Sequence, residues 1–190
     1  GLGTMMCANG RRAEGIQFLE RTLSHDGLRD DARFNLGVAY HKVGDYRRAI
    51  DHLQRLYKRS PGYPGLDHGL AQACFARGLT LLQAKLPADA LVFLRRSEEL
   101  RQDAANVHYA EGLAHLGLED LAAAETAFVA AIRLDEDHVP ALHNLAQVLD
   151  LQGRHTEAEG FYQRVALLTP HLDTIEAARN ATYDEKILLD

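Results

Sequence analysis

Tryptophan is absent from this 190-residue chain, cysteine and methionine occur twice each, proline occurs five times, and aromatic residues make up only 7%. Each scarcity excludes something. Cys7 and Cys74 match no CxxC or CxxH spacing, so neither a disulfide framework nor a zinc site is expected. Threonine and isoleucine are few, which leaves little material for strands. The unbroken apolar runs are a few residues long and no signal-peptide pattern is visible, so no membrane insertion is expected; the cytoplasm is favoured, although no compartment is fixed. No run of Lys or Arg exceeds a pair such as Arg47-Arg48 or Arg95-Arg96, which argues against a nucleic-acid partner. What is present is 46% hydrophobic content, chiefly alanine and leucine, a mixture that favours an all-α chain.

The net charge of −6 is unevenly distributed. Residues 1–63 hold 11 Lys/Arg against 7 Asp/Glu, whereas residues 105–190 hold 5 against 15. A basic leading segment and an acidic trailing one, the latter including Asp173, Glu176, Asp184 and Glu185, predict weak head-to-tail self-association that salt would loosen.

Comparing the chain with itself exposes a repeat. NLGVAYHKVGDYRRAIDHLQRLYKRSP (35–61) aligns without a gap on NLAQVLDLQGRHTEAEGFYQRVALLTP (144–170). Small residues recur at Gly3, Gly37, Ala71, Gly112 and Ala146, and again at Gly15, Ala49, Ala90, Ala124 and Ala158. Bulky ones recur at Leu19, Leu53, Leu94, Phe128 and Tyr162. The step within each series is constant, as from Gly3 to Gly37 and from Gly37 to Ala71, except for one longer step, which places a seven-residue insertion between Gly78 and Ala90. Two extra helical turns are the natural content of such an insertion, so one or both helices of that unit should be longer. Its added leucines, Leu79, Leu81, Leu82 and Leu86, either pack on one another or form a second contact patch.

Each unit reads as two helices that approach closely over the small residues and fill the remaining space with the bulky ones. Gly and Asp in VGDY (43–46), and Gly in QGRH (152–155), mark the turn between them; Pro61 and Pro170 end the second helix. The pattern resembles the tetratricopeptide repeat family, with Leu36-Gly37, Tyr40, Ala49, Leu53 and Pro61 at its signature positions. Departures occur at the family's tryptophan position, which is Arg33 or Leu142, and at Glu111, where leucine precedes the small residue in other units. The resemblance implies a right-handed superhelical α-solenoid of antiparallel helix pairs. Its expected units are 1–29 (truncated), 30–63, 64–104 (with the insertion), 105–138 and 139–172, followed by a capping helix over 173–190. The chain then begins inside a unit, and the natural protein is expected to continue upstream.

No residue set suggests catalysis. Ser24-His25-Asp26 spells a triad in sequence only, since successive side chains point apart, and it occupies an inter-unit turn. Ten histidines include no HxxxH pair, and His138 and His143 are separated by a proline; no metal site or cofactor is expected. There is no GxxxxGK[ST] or GxGxxG loop.

The resemblance further implies that the first helices of successive units line a concave groove. Phe34, His68, Tyr109 and His143 share one groove position; Asn35 and Asn144 share the next. Val38, Gln72, Leu113 and Gln147 share a third, followed by His41, Phe75, Leu116 and Asp150, with Lys42 beside them. Tyr109, Phe75 and Leu113 are expected at its apolar centre, with amides at intervals to pair with a peptide backbone. The alternative is that some of these rings pack between neighbouring first helices. Some members of the family hold a C-terminal carboxylate in a Lys/Asn/Arg clamp; here Asn35 and Asn144 match its asparagine, but Thr4, Leu113, Gly65, Gly69, Thr174 and Ala178 fill the other positions, which argues against that mechanism. The expected function is a non-catalytic protein–protein interaction module that binds a peptide segment of a partner, as part of a longer protein. The competing expectation is a structural spacer or self-assembling scaffold within a larger multidomain protein, whether or not that protein has an enzymatic domain elsewhere.

Overall fold

The computed structural model describes residues 12–25, 29–100 and 105–169. Every regular element among them is an α-helix: α1 (Arg12–His25), α2 (Asp30–Lys42), α3 (Tyr46–Arg59), α4 (Leu66–Gln83), α5 (Pro87–Leu100), α6 (Ala105–Gly117), α7 (Leu121–Leu134), α8 (Val139–Leu151) and α9 (His155–Leu168). None of the described helices is long and apolar enough to cross a membrane. Cys7 and the expected closing helix, with its acidic residues, lie outside the described residues.

Three-residue turns join α2 to α3, α4 to α5, α6 to α7 and α8 to α9. At the second residue of each turn the backbone enters the left-handed region, at Gly44 (φ +82°), Lys85 (+57°), Glu119 (+60°) and Gly153 (+79°). Two glycines adopt it freely; Lys85 and Glu119 do so against the cost of a Cβ. The following helix is then capped where chemistry permits. The carboxylate of Asp45 accepts the Arg48 amide at 3.0 Å, and that of Asp120 accepts the Ala123 amide at 3.1 Å.

The insertion lengthens α4 at its C-terminal end. Lys42, the last residue of α2, aligns with Ala76, whereas α4 runs on to Gln83. Helix α4 therefore outlasts α2, α6 and α8, while α5 keeps the length of α3, α7 and α9. Of the leucines expected there, Leu81 is buried, Leu79 and Leu82 are half-buried, and Leu86 is exposed in the turn.

The chain divides into two compact units, residues 1–81 with 92–102 and residues 82–91 with 103–190. Within the first, Leu36, Leu53, Leu56, Leu66, Leu70 and Cys74 form a core on which Phe34, Tyr57 and Tyr63 pack. Full burial of each leucine contributes on the order of 2 kcal/mol. Gly37 permits the close approach of α2 and α3: a Cβ there would lie 2.6 Å from Leu53 Cγ. Tyr40 stacks on His52 and lies under the Arg48 guanidinium, so α2 and α3 run antiparallel in register. Burial pushes the Cys74 thiol up to about 11, which leaves it a core residue without thiolate chemistry. Ser97 donates to the Ala71 carbonyl at 2.9 Å, tying α5 to α4.

The second unit repeats the design with larger rings. Phe128, Tyr162, Leu145, Leu149 and Tyr109 form its core, and a Cβ on Gly112 would lie 2.6 Å from Phe128 Cδ1. Arg154 ties the turn before α9 to α7 by donating to Glu125 at 2.7 Å, and to α9 by donating to Glu157 at 2.8 and 2.7 Å. Glu111 is buried at the position that holds leucine elsewhere, with its Oε2 3.2 Å from His108 Nδ1.

Candidate functional site

The first helix of each pair has one face turned to the core and one turned away, and the difference follows from spacing. On α2 the buried residues are Ala32, Leu36, Gly37, Ala39 and Tyr40. Phe34, Asn35, Val38, His41 and Lys42 lie at i, i+1, i+4, i+7 and i+8, and therefore form the opposite stripe. Lys42 is exposed and the other four are half-buried. On α4 the corresponding stripe carries His68 and Gln72, both exposed, and the half-buried Phe75.

Within the first unit these side chains separate into a floor and a rim. Phe34 belongs to the floor: its ring lies 5.1 Å from that of Tyr63 and passes over Gly65 and Gly69, where an added Cβ would sit 3.6 and 3.5 Å from it. Tyr63 in turn donates to Asp31 Oδ1 at 2.7 Å, and burial together with that bond pushes its hydroxyl up to about 12. The rim is Val38, His41, Lys42, His68, Gln72 and Phe75. His41 packs 5.5 Å from the Tyr46 ring, and burial, aided by neighbouring Lys42, lowers its pKa, so it presents a neutral imidazole at pH 7. Among the described residues, no hydrogen bond or ion pair is made by the side chains of His41, Lys42, His68 or Gln72. Their donors and acceptors remain available to another molecule.

The second unit treats the same register differently. Tyr109, expected at the centre of the groove, is 3% exposed and packs between Phe128 (5.9 Å) and His138 (5.0 Å). Asn144 is buried and donates to the Tyr109 hydroxyl at 3.3 Å and to the Pro140 carbonyl at 3.0 Å. His143 is buried edge-on against Tyr162. These three therefore build the interior of their own unit: Asn144 and Tyr109 bond between the neighbouring first helices α8 and α6, whereas the His143 ring packs on the second helix α9. Leu113, Leu116 and Gln147 stay half-buried.

Five ring partners of these side chains stand outside the groove positions: Tyr46, Tyr63, Phe128, His138 and Tyr162. Tyr63 stands beyond the end of α3 while Phe34 stands in α2, outside any helical spacing, so only a folded inter-helix turn brings them together. His138 caps α8, accepting the Ala141 amide on Nδ1 at 3.1 Å; its Nε2 therefore carries the proton and donates to Asn106 Oδ1 at 3.0 Å. Ser24, of the sequence-adjacent Ser-His-Asp, donates its hydroxyl to the Arg21 carbonyl at 2.7 Å, and Asp26 lies outside the described residues.

Comparison with known proteins adds three findings. A family model described as tetratricopeptide repeat matches residues 8–64 and 109–172. No curated protein matches the chain by sequence. Among solved structures, MamA (residues 41 to the end) from Desulfovibrio magneticus RS-1 is similar at 22% identity and a TM-score of 0.64, covering 91% of this chain and 94% of that one. YrrB, a TPR protein with an unusual peptide-binding site, is similar at 18% identity and a TM-score of 0.66, covering 94% and 87%. Both likenesses concern the fold.

Proposed function

Since the chain belongs to the tetratricopeptide repeat family, we propose that it is a non-catalytic interaction module that binds a peptide segment of a partner protein along the outward stripe of α2 and α4. The observation that carries this reading is the rim of the first unit. Apolar Val38 and Phe75 are only half-buried, and the same stripes carry His41, Lys42, His68 and Gln72, whose polar groups make no bond within the described chain. Phe34, locked by Tyr63 over two glycines, supplies a rigid floor without competing for the ligand. Such a surface offers an apolar anchor site beside unsatisfied donors and acceptors, the combination that peptide recognition uses. YrrB shows that a chain of this fold can carry a peptide site. In the second unit the same register keeps Leu113, Leu116, Gln147 and Asp150 half-buried and Gly117 and Leu151 exposed, while Tyr109, His143 and Asn144 are buried.

Selection of a random-peptide display library on the folded chain tests the proposal. Enriched peptides should lose about tenfold in affinity, ~1.4 kcal/mol, when Phe75→Ala or Gln72→Ala is introduced, and should be indifferent to Gln54→Ala on the exposed side of α3. Failure to enrich any peptide, or equal loss with Gln54→Ala, would refute it.

A further inference from the structure

The outward stripe of α3 differs from that of the later second helices. It exposes Arg47, Arg48, Arg55, Lys58 and Arg59 against a single acid, Asp51. At the positions that match Arg47, Arg48, Arg55 and Lys58, α7 carries Ala122, Ala123, Ala130 and Arg133, and α9 carries Thr156, Glu157, Arg164 and Leu167. Internal ion pairs neutralise part of the α3 stripe: Arg48 pairs with Asp45, Arg55 with Asp51 and Arg59 with Asp30. Arg47 and Lys58 have no such partner among the described residues, and they stand about 16 Å apart along the helix.

A cationic stripe of this kind in a chain of net charge −6 needs an occupant that tolerates the remainder of the surface. The described residues of the first unit hold 13 Lys/Arg against 9 Asp/Glu, and those of the second hold 4 against 11. Among the described residues of the second unit, the densest exposed acidic stretch is the turn Asp135-Glu136-Asp137, where the Glu136 side chain is 86% exposed and Arg164 is the neighbouring cation, 3.3 Å from Asp137. Each surface thus contains a minority charge, Asp51 in one and Arg164 in the other. A uniform polyanion would meet Asp51 and the acidic second unit with repulsion, whereas an acidic surface studded with a cation matches the stripe in kind.

We propose that the α3 stripe docks on the acidic face of the second unit of another copy of this chain, head to tail. The two surfaces are different, so the contact is heterologous, and an assembly either closes into a ring or leaves one of each surface unpaired to add further copies. Exposed charges at this spacing are screened beyond about 10 Å at 0.1 M salt and about 3 Å at 1 M, so the contact is weak and salt-sensitive. It involves none of the rim residues and stands or falls independently of peptide binding.

Sedimentation velocity on the full chain over a concentration series is the test. Association is expected at about 0.05 M salt and should weaken by at least about tenfold at about 0.5 M. Arg47→Glu with Lys58→Glu should abolish it, and so should Glu136→Lys with Asp137→Lys, each variant keeping the helical circular dichroism of the parent. Mixing the two variants should restore association, because each retains the surface that the other has lost. A chain that is monomeric throughout, an association indifferent to salt, or a mixture that stays monomeric would overturn the proposal. It would equally be overturned if the Arg47/Lys58 variant sedimented as the parent does while losing affinity for poly-glutamate, since the occupant would then be an acidic partner.

Discussion

Replacing Gly112 by alanine sets two opposed effects against each other, and the structure decides the sign. Alanine in a helix interior gains about 1 kcal/mol over glycine. The new Cβ, however, would lie 2.6 Å from Cδ1 and 2.8 Å from Cζ of Phe128, well inside the contact distance of two carbons. Phe128 is fully buried and its ring abuts Tyr109, itself 3% exposed, so the ring has no room to retreat. Overpacking of that kind costs roughly 1–3 kcal/mol; a ring with no room to retreat takes the upper part of that range, about 2–3 kcal/mol, so the net expectation is a loss of about 1–2 kcal/mol. The chain contains its own remedy: in the first unit the same two positions hold Ala71 and Leu94, both buried. Phe128→Leu should therefore accept alanine at 112, and the double-mutant cycle by urea denaturation should show a favourable coupling of about 1 kcal/mol or more. If Gly112→Ala stabilises the chain by its helix gain alone, or if the two substitutions add without coupling, the close-approach account of this helix pair is wrong.

Three further expectations rest on the same structure. Glu119→Gly, at φ +60° in a turn where Gly44 and Gly153 hold the matching place, should raise stability by about 0.5–1 kcal/mol in urea denaturation, whereas Gly153→Ala should lower it by about 1 kcal/mol. His138 is kept neutral because burial lowers its pKa against the weaker opposing pull of Asp135, so the unfolded chain binds a proton that the folded chain refuses. Stability from this residue is then complete above about pH 6.5 and falls as pH drops from there toward the folded value; protonation also removes the Nδ1 acceptor that caps α8, a bond of about 1 kcal/mol. The variant His138→Asn, which retains a capping oxygen, should lose less stability between about pH 7.5 and pH 5.5 than the parent. Tyr109→Ala should act on stability, lowering it by about 3 kcal/mol, while the folded protein keeps its affinity for selected peptides to within about threefold.

The repeat was legible because its determinants are local and periodic. Gly37 faces Leu53 and Gly112 faces Phe128 across one helix–turn–helix, so a constant step along the chain encodes both the helices and their contact. The one longer step located the insertion but left open which helix received it; sequence alone cannot separate a longer α4 from a longer α5, because the turn itself carries no glycine at Lys85. The candidate site was legible only in part. The register groups Val38, His41, Gln72 and Phe75 on the stripes that are half-buried or exposed, since helical geometry fixes that much. It placed Tyr109, His143 and Asn144 by the same rule, yet their exposure depends on ring contacts with Phe128, His138 and Tyr162 that come from beyond their own helices. A side chain's address on its helix is written in the sequence, and what covers it is decided by the fold.

The most direct test of peptide binding at α2 and α4 is methyl and amide NMR of the labelled chain titrated with a peptide selected from the display library. The largest shift changes are expected on Val38, His41, Gln72 and Phe75, with α3 and the Tyr109–Phe128 core nearly silent. Changes concentrated on the outer side of α3, or spread evenly over the core, would contradict it.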